Sequence, residues 1–158
     1  MDRDEPELLF IRRAERGSDP WSGQVALPGG RWSAGDADLE ATAFRETLEE
    51  TGLDVRSLGR VIGRLDELRP RTAVLPPIIV TPYVAVLRAA PTALVLSDEV
   101  AHAFWAPWSV LTDPANDVES DVAVRGTSLR VPSLVIGEQV IWGMTERILR
   151  QLFFRLRR

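Results

Sequence analysis

The sequence predicts one α+β domain over residues 1–158, an α/β arrangement of helices packed on a mixed sheet. Three observations predict it. Apolar residues recur at helical spacing in Leu39 to Thr51 and again near the C-terminus, and runs rich in branched or aromatic residues lie between them. A chain of 158 residues is long enough for one domain with a substantial core and too short for two ordinary ones.

In chain order, Leu8 to Ile11 is a short apolar run between Pro6 and Arg12-Arg13, the pattern of a buried strand. Gly17-Ser18-Asp19-Pro20 gathers turn formers, and Gln24 to Leu27 is a second short run stopped by Pro28-Gly29-Gly30. In Leu39 to Thr51 the residues Leu39, Ala43, Phe44 and Leu48 keep helical spacing, and Gly52 stands where a helix end favours a left-handed residue. Val55 to Leu65, Ile78 to Leu87 and Ala103 to Ala106 read as strands of one mixed sheet. The C-terminal stretch reads as a second helix packed on that sheet, with Ile141, Met144, Ile148, Leu152 and Leu156 on one stripe. Glu146, Arg147 and Arg150 fall off that stripe. The basic ending Arg155-Leu156-Arg157-Arg158 could form an anion patch, but cations also suit the negative end of a helix dipole, which is the reading preferred.

Composition narrows the function classes. The apolar share of 45% and charged share of 27% are those of a folded globular protein. A formal charge of −4 argues against broad nucleic-acid binding, which needs a basic face. With no cysteine, disulfides, thiolate zinc sites and cysteine nucleophiles are excluded. The longest mostly apolar stretch, Val74 to Ala90, is broken by Pro76, Pro77, Pro82 and Arg88 and does not read as a membrane span. Met1-Asp2-Arg3-Asp4-Glu5 is acidic where a secretory signal is basic and then apolar, so a cytoplasmic protein is expected.

The chemistry concentrates in Gly29-Gly30 and Arg45-Glu46-Thr47-Leu48-Glu49-Glu50-Thr51-Gly52-Leu53. Helix residues three and four apart are neighbours, so Glu46, Glu49 and Glu50 direct three carboxylates to one region. Their repulsion is relieved by a divalent cation, and Mg²⁺ (or Mn²⁺) takes such oxygen ligands while keeping positions for substrate phosphates. Arg45 precedes Glu49 by four residues and can fix its rotamer. An ordinary solvated helix face would look the same in isolation. The glycines change the balance, because a loop without side chains lets backbone approach a ligand.

These residues resemble the Nudix hydrolases, whose signature ends in an Arg-Glu-x-x-Glu-Glu-x-Gly core matched here at every position. The resemblance implies an α/β/α sandwich and cleavage of nucleoside diphosphates linked to another moiety, with divalent cations. By resemblance Glu46 and Glu50 are principal metal ligands, Glu49 is a further ligand and catalytic residue, Arg45 orients them, and Gly30 belongs to the metal loop. The interval from Gly30 through Asp36 to Arg45 is one residue longer than usual, with Asp36 in place of Glu, which is similar to the coenzyme A pyrophosphatase branch. Gly23 to Gly30, Pro82-Tyr83-Val84, Glu99-Val100, Phe104-Trp105 and Ile141 to Thr145 also look like that branch, whereas Asp19 stands where it carries arginine. Family members have another strand ahead of the one at Leu8 to Ile11. Only seven residues precede it here, so the resemblance implies a domain lacking that strand and a sheet edge that a second copy could cover as a homodimer.

Other side chains have weaker claims. Glu99 could add a late carboxylate as ligand or base, or serve as an ordinary loop acid. Arg31, Arg69 and Arg71 are candidates for substrate phosphates, since guanidinium matches phosphate oxygens bidentately. Of the tryptophans, Trp32 is best placed to meet a substrate base, following Gly30 by two residues. The single histidine, His102, reads as structural, and no Gly-x-Ser-x-Gly elbow is present. The expected partner is thus a small nucleotide diphosphate: coenzyme A or a relative, or else a nucleotide sugar, dinucleotide or triphosphate. A catalytically silent nucleotide- or protein-binding domain is the alternative from another class.

Overall fold

Asp38 and Gly52 bracket the first helix, α1 (Leu39–Thr51), at the boundaries the spacing predicts. The Asp38 carboxylate accepts the Ala41 N–H at 2.7 Å, and Gly52 turns left-handed at φ 71° so that its N–H reaches the Leu48 carbonyl at 2.8 Å. These observations come from a computed structural model that describes residues 5–19, 21–71, 77–89, 91 and 93–157. The sequence features at Met1 to Asp4, Pro20, Val74 to Pro76, Ala90 and Arg158 lie outside the described residues.

The face α1 turns inward is polar. Thr42, Glu50 and Thr51 are buried, while Leu39 and Leu48, part of its apolar spacing, are exposed. That orientation sends carboxylates toward the interior, where only a functional or hydrogen-bonded arrangement can hold them.

The strands divide differently from the single mixed sheet expected. Among the described residues every ladder is antiparallel and there are three sheets. β1 (Glu7–Arg13) lies between β2 (Val25–Ala26) and β5 (Val100–Pro107). β3 (Gly59–Arg64) pairs with β4 (Tyr83–Leu87). β6 (Asp117–Val124), β7 (Thr127–Ile136) and β8 (Gln139–Trp142) form a meander.

Two expected strands are shorter for local reasons. Val55 to Leu65 opens with a helical turn, α2 (Val55–Leu58), because the Asp54 carboxylate caps the Arg56 and Ser57 N–H groups. In Ile78 to Leu87 the ladder starts only after Pro82, which has no N–H, and Val80 makes an isolated bridge to Leu68.

The short helix α3 (Trp108–Thr112) follows β5, and the chain closes with α4 (Gly143–Leu156). Ile141 belongs to β8 rather than to the helix stripe, because Gly143 at φ 67° breaks the chain direction. Leu156 is exposed and Phe153 is buried in its stead. Glu146, expected off the packed face, is buried, its charge met by Arg150, which also grips Asp117.

The main core unites Phe10, Ala106, Leu134, Ile141, Leu149 and Phe153, with Phe104 stacked on Phe10 at 5.4 Å. A second cluster of Leu65, Leu68, Ile148 and Leu152 receives Leu27 and Met144. The Thr145 hydroxyl donates to the Val25 carbonyl at 3.2 Å. Leu27 and Val25 thereby anchor the run into Pro28-Gly29-Gly30 on α4. No described helix is long and apolar enough to cross a membrane.

Candidate active site

The anchored Gly29-Gly30 turn meets the inward face of α1. Glu50, only 4% exposed, accepts the Gly29 N–H at 3.0 Å. The Glu46 carboxylate lies against Gly30 in the space a Cβ there would fill. Gly29 itself has φ 154°, a conformation side chains resist. One glycine thus provides the bend and the other the room.

Arg45 fixes the acidic face. Its Nε and Nη2 grip Asp36 at 2.8 and 3.0 Å, its Nη1 reaches both Glu46 and Glu49 at 3.0 Å, and its Nη2 also donates to the Arg31 carbonyl at 3.0 Å. Asp36, nearly buried, also accepts from the Thr42 hydroxyl and the Ser33 N–H. The Arg45 guanidinium, assisted by those two donors, holds its carboxyl well below the usual carboxylate range. Trp32 closes the same loop by donating to the Asp36 carbonyl at 3.2 Å, with its ring exposed.

The three glutamates do not converge equally. Glu50 turns inward to Gly29, Glu46 lies along Gly30, and Glu49, 58% exposed at its side chain, is drawn outward by Arg45. Among the described residues no three acidic or histidine side chains gather closely enough to hold a metal as they stand. Burial pushes the Glu50 carboxyl up to about 7, and the charges of Glu46 and Glu99 add to that rise against the Gly29 N–H and Arg13, which favour the ionised form. A buried acid whose ionisation is opposed by burial and by neighbouring carboxylate charge is where a cation relieves repulsion. The donors at hand are oxygens, which suits Mg²⁺ or Mn²⁺, so the residues present fit such an ion with Glu46 and Glu50 as its holders.

Glu99 reaches this neighbourhood through backbone docking. The Val95 and Ser97 N–H groups donate to the Thr51 and Glu50 carbonyls at 2.9 and 3.1 Å, setting the segment on the end of α1. The Glu99 side chain is exposed and faces Arg16 at 3.6 Å.

The NUDIX domain family matches residues 1–124. The chain belongs to the Nudix family. An uncharacterized Nudix hydrolase NudL of Citrobacter koseri is 34% identical over 98% of this Nudix chain and 77% of its own length, and NudL of Yersinia pestis is 33% identical over 95% and 72%. An uncharacterized Schizosaccharomyces pombe protein is 38% identical over 69% of the chain, which spans only 34% of that protein's length. Among solved structures, a MutT/nudix family protein of Enterococcus faecalis superimposes with a TM-score of 0.64 at 19% identity, over 97% of this chain and 56% of that one. The NUDIX domain of Shewanella oneidensis NrtR, in complex with ADP ribose, gives 0.61 at 17% identity over 98% and 80%. At those identities the likeness is one of fold, and it agrees with the α+β class expected.

The remaining candidates of this Nudix chain are scattered. Arg31 contributes its carbonyl to the Arg45 clamp. Arg69 and Arg71 lie instead beside α4, where the Arg69 carbonyl accepts from Arg147 and the charge of Arg71 acts on that guanidinium. Among the described residues neither makes a hydrogen bond or ion pair to the α1 carboxylates. His102 is exposed and stacks on Phe104 at 6.0 Å. Sequence reasoning missed two members. Asp36 was read only as a signature variant, and Arg13, held by Asp19 at 2.8 and 3.1 Å, is close enough to Glu50 to favour its charge.

Proposed function

We propose that this Nudix chain hydrolyses the diphosphate linkage of a nucleoside diphosphate derivative with Mg²⁺ or Mn²⁺, coenzyme A or a related nucleotide being the first candidate. The observation that carries this is the meeting of Glu46 and Glu50 with the Gly29-Gly30 turn, which brings two carboxylates to a stretch of backbone open to a ligand. A bound divalent ion would neutralise phosphate charge and lower the pKa of a water at the site. In the reaction a water oxygen bonds to phosphorus, the bridging P–O bond breaks, and two phosphate-bearing fragments leave. Glu99, exposed at the edge of the cluster, is the proposed acceptor of the water proton, with Glu49 the alternative. Arg31 and Trp32, on the loop tied to Arg45, are the nearer phosphate and base contacts, and Arg69 and Arg71 are retained for a more distant part of the substrate.

The deciding experiment is a hydrolysis panel of coenzyme A, ADP-ribose, dinucleotides and triphosphates with Mg²⁺, Mn²⁺ or EDTA. Metal-dependent cleavage at the diphosphate of at least one substrate is expected. No cleavage in either metal, together with no thermal shift on adding them, favours a silent binding domain.

Arg45→Lys tests the clamp. Lysine cannot span Asp36, Glu46, Glu49 and the Arg31 carbonyl at once. Turnover is expected to fall about 10- to 100-fold with a higher half-saturating Mg²⁺ concentration, the usual cost of losing a residue that orients metal ligands. Unchanged metal dependence would remove Arg45 from that role.

A further inference from the structure

The threonines of α1, Thr42, Thr47 and Thr51, use their hydroxyls differently. The Thr47 hydroxyl donates to the Ala43 carbonyl at 2.7 Å and the Thr51 hydroxyl to the Thr47 carbonyl at 2.6 Å, the usual back-bond of a helical threonine. Thr42 has the same kind of acceptor in the Asp38 carbonyl at 3.2 Å, yet its hydroxyl stands closer to the Asp36 carboxylate, at 2.9 Å. A hydroxyl has a single proton to give, and a bond to a carboxylate is about twice as strong as one to a neutral carbonyl. Thr42 is 3% exposed, so little water competes for that proton.

The bond matters because of what Asp36 holds. Its Oδ2 accepts from the Thr42 hydroxyl, from the Ser33 N–H at 3.0 Å and from Arg45 Nη2 at 3.0 Å, while Oδ1 accepts from Arg45 Nε at 2.8 Å. The two guanidinium donors sit at the tip of a long side chain that moves with the carboxylate, so they cannot fix its place. Ser33 belongs to the same loop as Asp36 and moves with that loop. Of these donors, only Thr42 ties the carboxylate by a short side chain to the backbone of α1. Thr42 and Arg45 are three residues apart and therefore neighbours on the helix. Hydroxyl, carboxylate and guanidinium close a triangle whose base is helix backbone, and Arg45 Nη1 extends from it to Glu46 and Glu49 at 3.0 Å.

We propose that Thr42 is a positioning residue: its hydroxyl sets the Asp36 carboxylate, and through it the Arg45 guanidinium and the Glu46 and Glu49 carboxylates that Arg45 holds. Thr42 acts only through Asp36. The placing of Arg45 is independent of any reaction, whereas its bearing on metal binding rests on the hydrolase reading.

Thr42→Val removes the hydroxyl and keeps the branched shape, Thr42→Ala removes it with a better helix former, and Thr42→Ser keeps it. The first readout needs neither metal nor turnover. It is the Arg45 Nε–H signal in the proton–nitrogen correlation spectrum of the EDTA-treated protein, assigned as the one absent from Arg45→Lys. The signal is expected in wild type and Thr42→Ser and is expected to be lost to solvent exchange in Thr42→Val and Thr42→Ala. Thr47→Val, which removes a hydroxyl that only back-bonds, is expected to keep it. A signal that survives in Thr42→Val and Thr42→Ala, or is lost equally in Thr42→Ser or Thr47→Val, overturns the assignment. That holds even if the variants melt lower, because the hydroxyl would then serve stability alone.

The second readout is the half-saturating Mg²⁺ concentration for whichever substrate the wild type cleaves. It is expected to rise about tenfold in Thr42→Val, the lower end of the cost of losing a group that orients metal ligands, with turnover recovering at saturating Mg²⁺. Thr42→Ser is expected to restore the wild-type value. An unmoved Mg²⁺ requirement beside a lost Arg45 signal would overturn the reach of Thr42 to Glu46 and Glu49. If the signal behaves as expected but the wild type cleaves nothing in either metal, the placing of Arg45 stands and the hydrolase reading fails.

Discussion

Glu50→Gln is expected to lose Mg²⁺-dependent turnover by about 1,000-fold while making the metal-free protein more stable at pH 8. The two effects have one cause. Glu50 is buried with Glu46 and Glu99 acting on it, and its carboxyl is pushed up to about 7 from an ordinary 4.5, burial being the largest contribution. Glutamine retains the shape and an oxygen for the Gly29 N–H at 3.0 Å, but it carries no charge for a cation or for its neighbours. Losing one preorganised electrostatic group in a water-poor site costs on the order of 10²–10³ in rate, and a charged metal holder belongs at the upper end.

The pH dependence follows from proton counting. Between about pH 4.5 and 7 the folded metal-free protein holds a proton on Glu50 that the unfolded chain has released. Stability therefore falls as pH rises through that window, and it stays low above it. The loss is on the order of 2 kcal/mol. Thermal melts in EDTA should show Glu50→Gln about 4–8 °C above wild type at pH 8. The gap should close near pH 5. A variant that melts with the wild type at both pH values would mean that Glu50 is not a strained acid. Retained Mg²⁺-dependent turnover would mean that it is not a metal holder.

What could be read from the chain differs by element, and the differences have physical reasons. α1 was legible to the residue because its apolar spacing and the left-handed glycine after it are local signals; the Asp38 cap is equally local and went unread. The acidic triplet was legible for the same reason, being set by helix geometry. The unequal use of its members was not, since Glu49 turns outward and Glu50 inward according to where Arg45 and Gly29 lie in space. Asp36 gripping Arg45 across nine residues depends on the loop path, which no periodicity reports. The Glu146–Arg150 pair likewise needed Asp117 from a distant strand to make burial tolerable. The β6–β8 sheet was a different kind of miss. Val118, Ser120, Val122 and Val124 alternate with Asp117, Glu119 and Asp121, and Arg125-Gly126 follows as a turn, so the strand signal was present and went unread.

Gly30→Ala separates the site from the fold most sharply. A methyl at residue 30 would stand 2.5 Å from both Glu46 carboxylate oxygens, closer than real Cβ atoms come. Gly30 is exposed and its backbone is not left-handed, so alanine is conformationally acceptable there. What must move is the free end of a glutamate, which swings aside at little cost, so stability should change by no more than about 0.5 kcal/mol, the range of ordinary surface substitutions. Turnover should nevertheless fall about 100-fold, because a displacement near 1 Å of a positioned group costs that much. Gly29→Ala supplies the contrast. Nothing lies within 4 Å of a Cβ at residue 29, but its φ of 154° strains any side chain, so that variant should lose about 1–3 kcal/mol of stability. The pair is read by urea denaturation beside steady-state kinetics. If Gly30→Ala turns over at the wild-type rate with an unaltered Mg²⁺ requirement, the Glu46 carboxylate is not needed where the glycine turn leaves room for it, and its assignment as a metal holder fails.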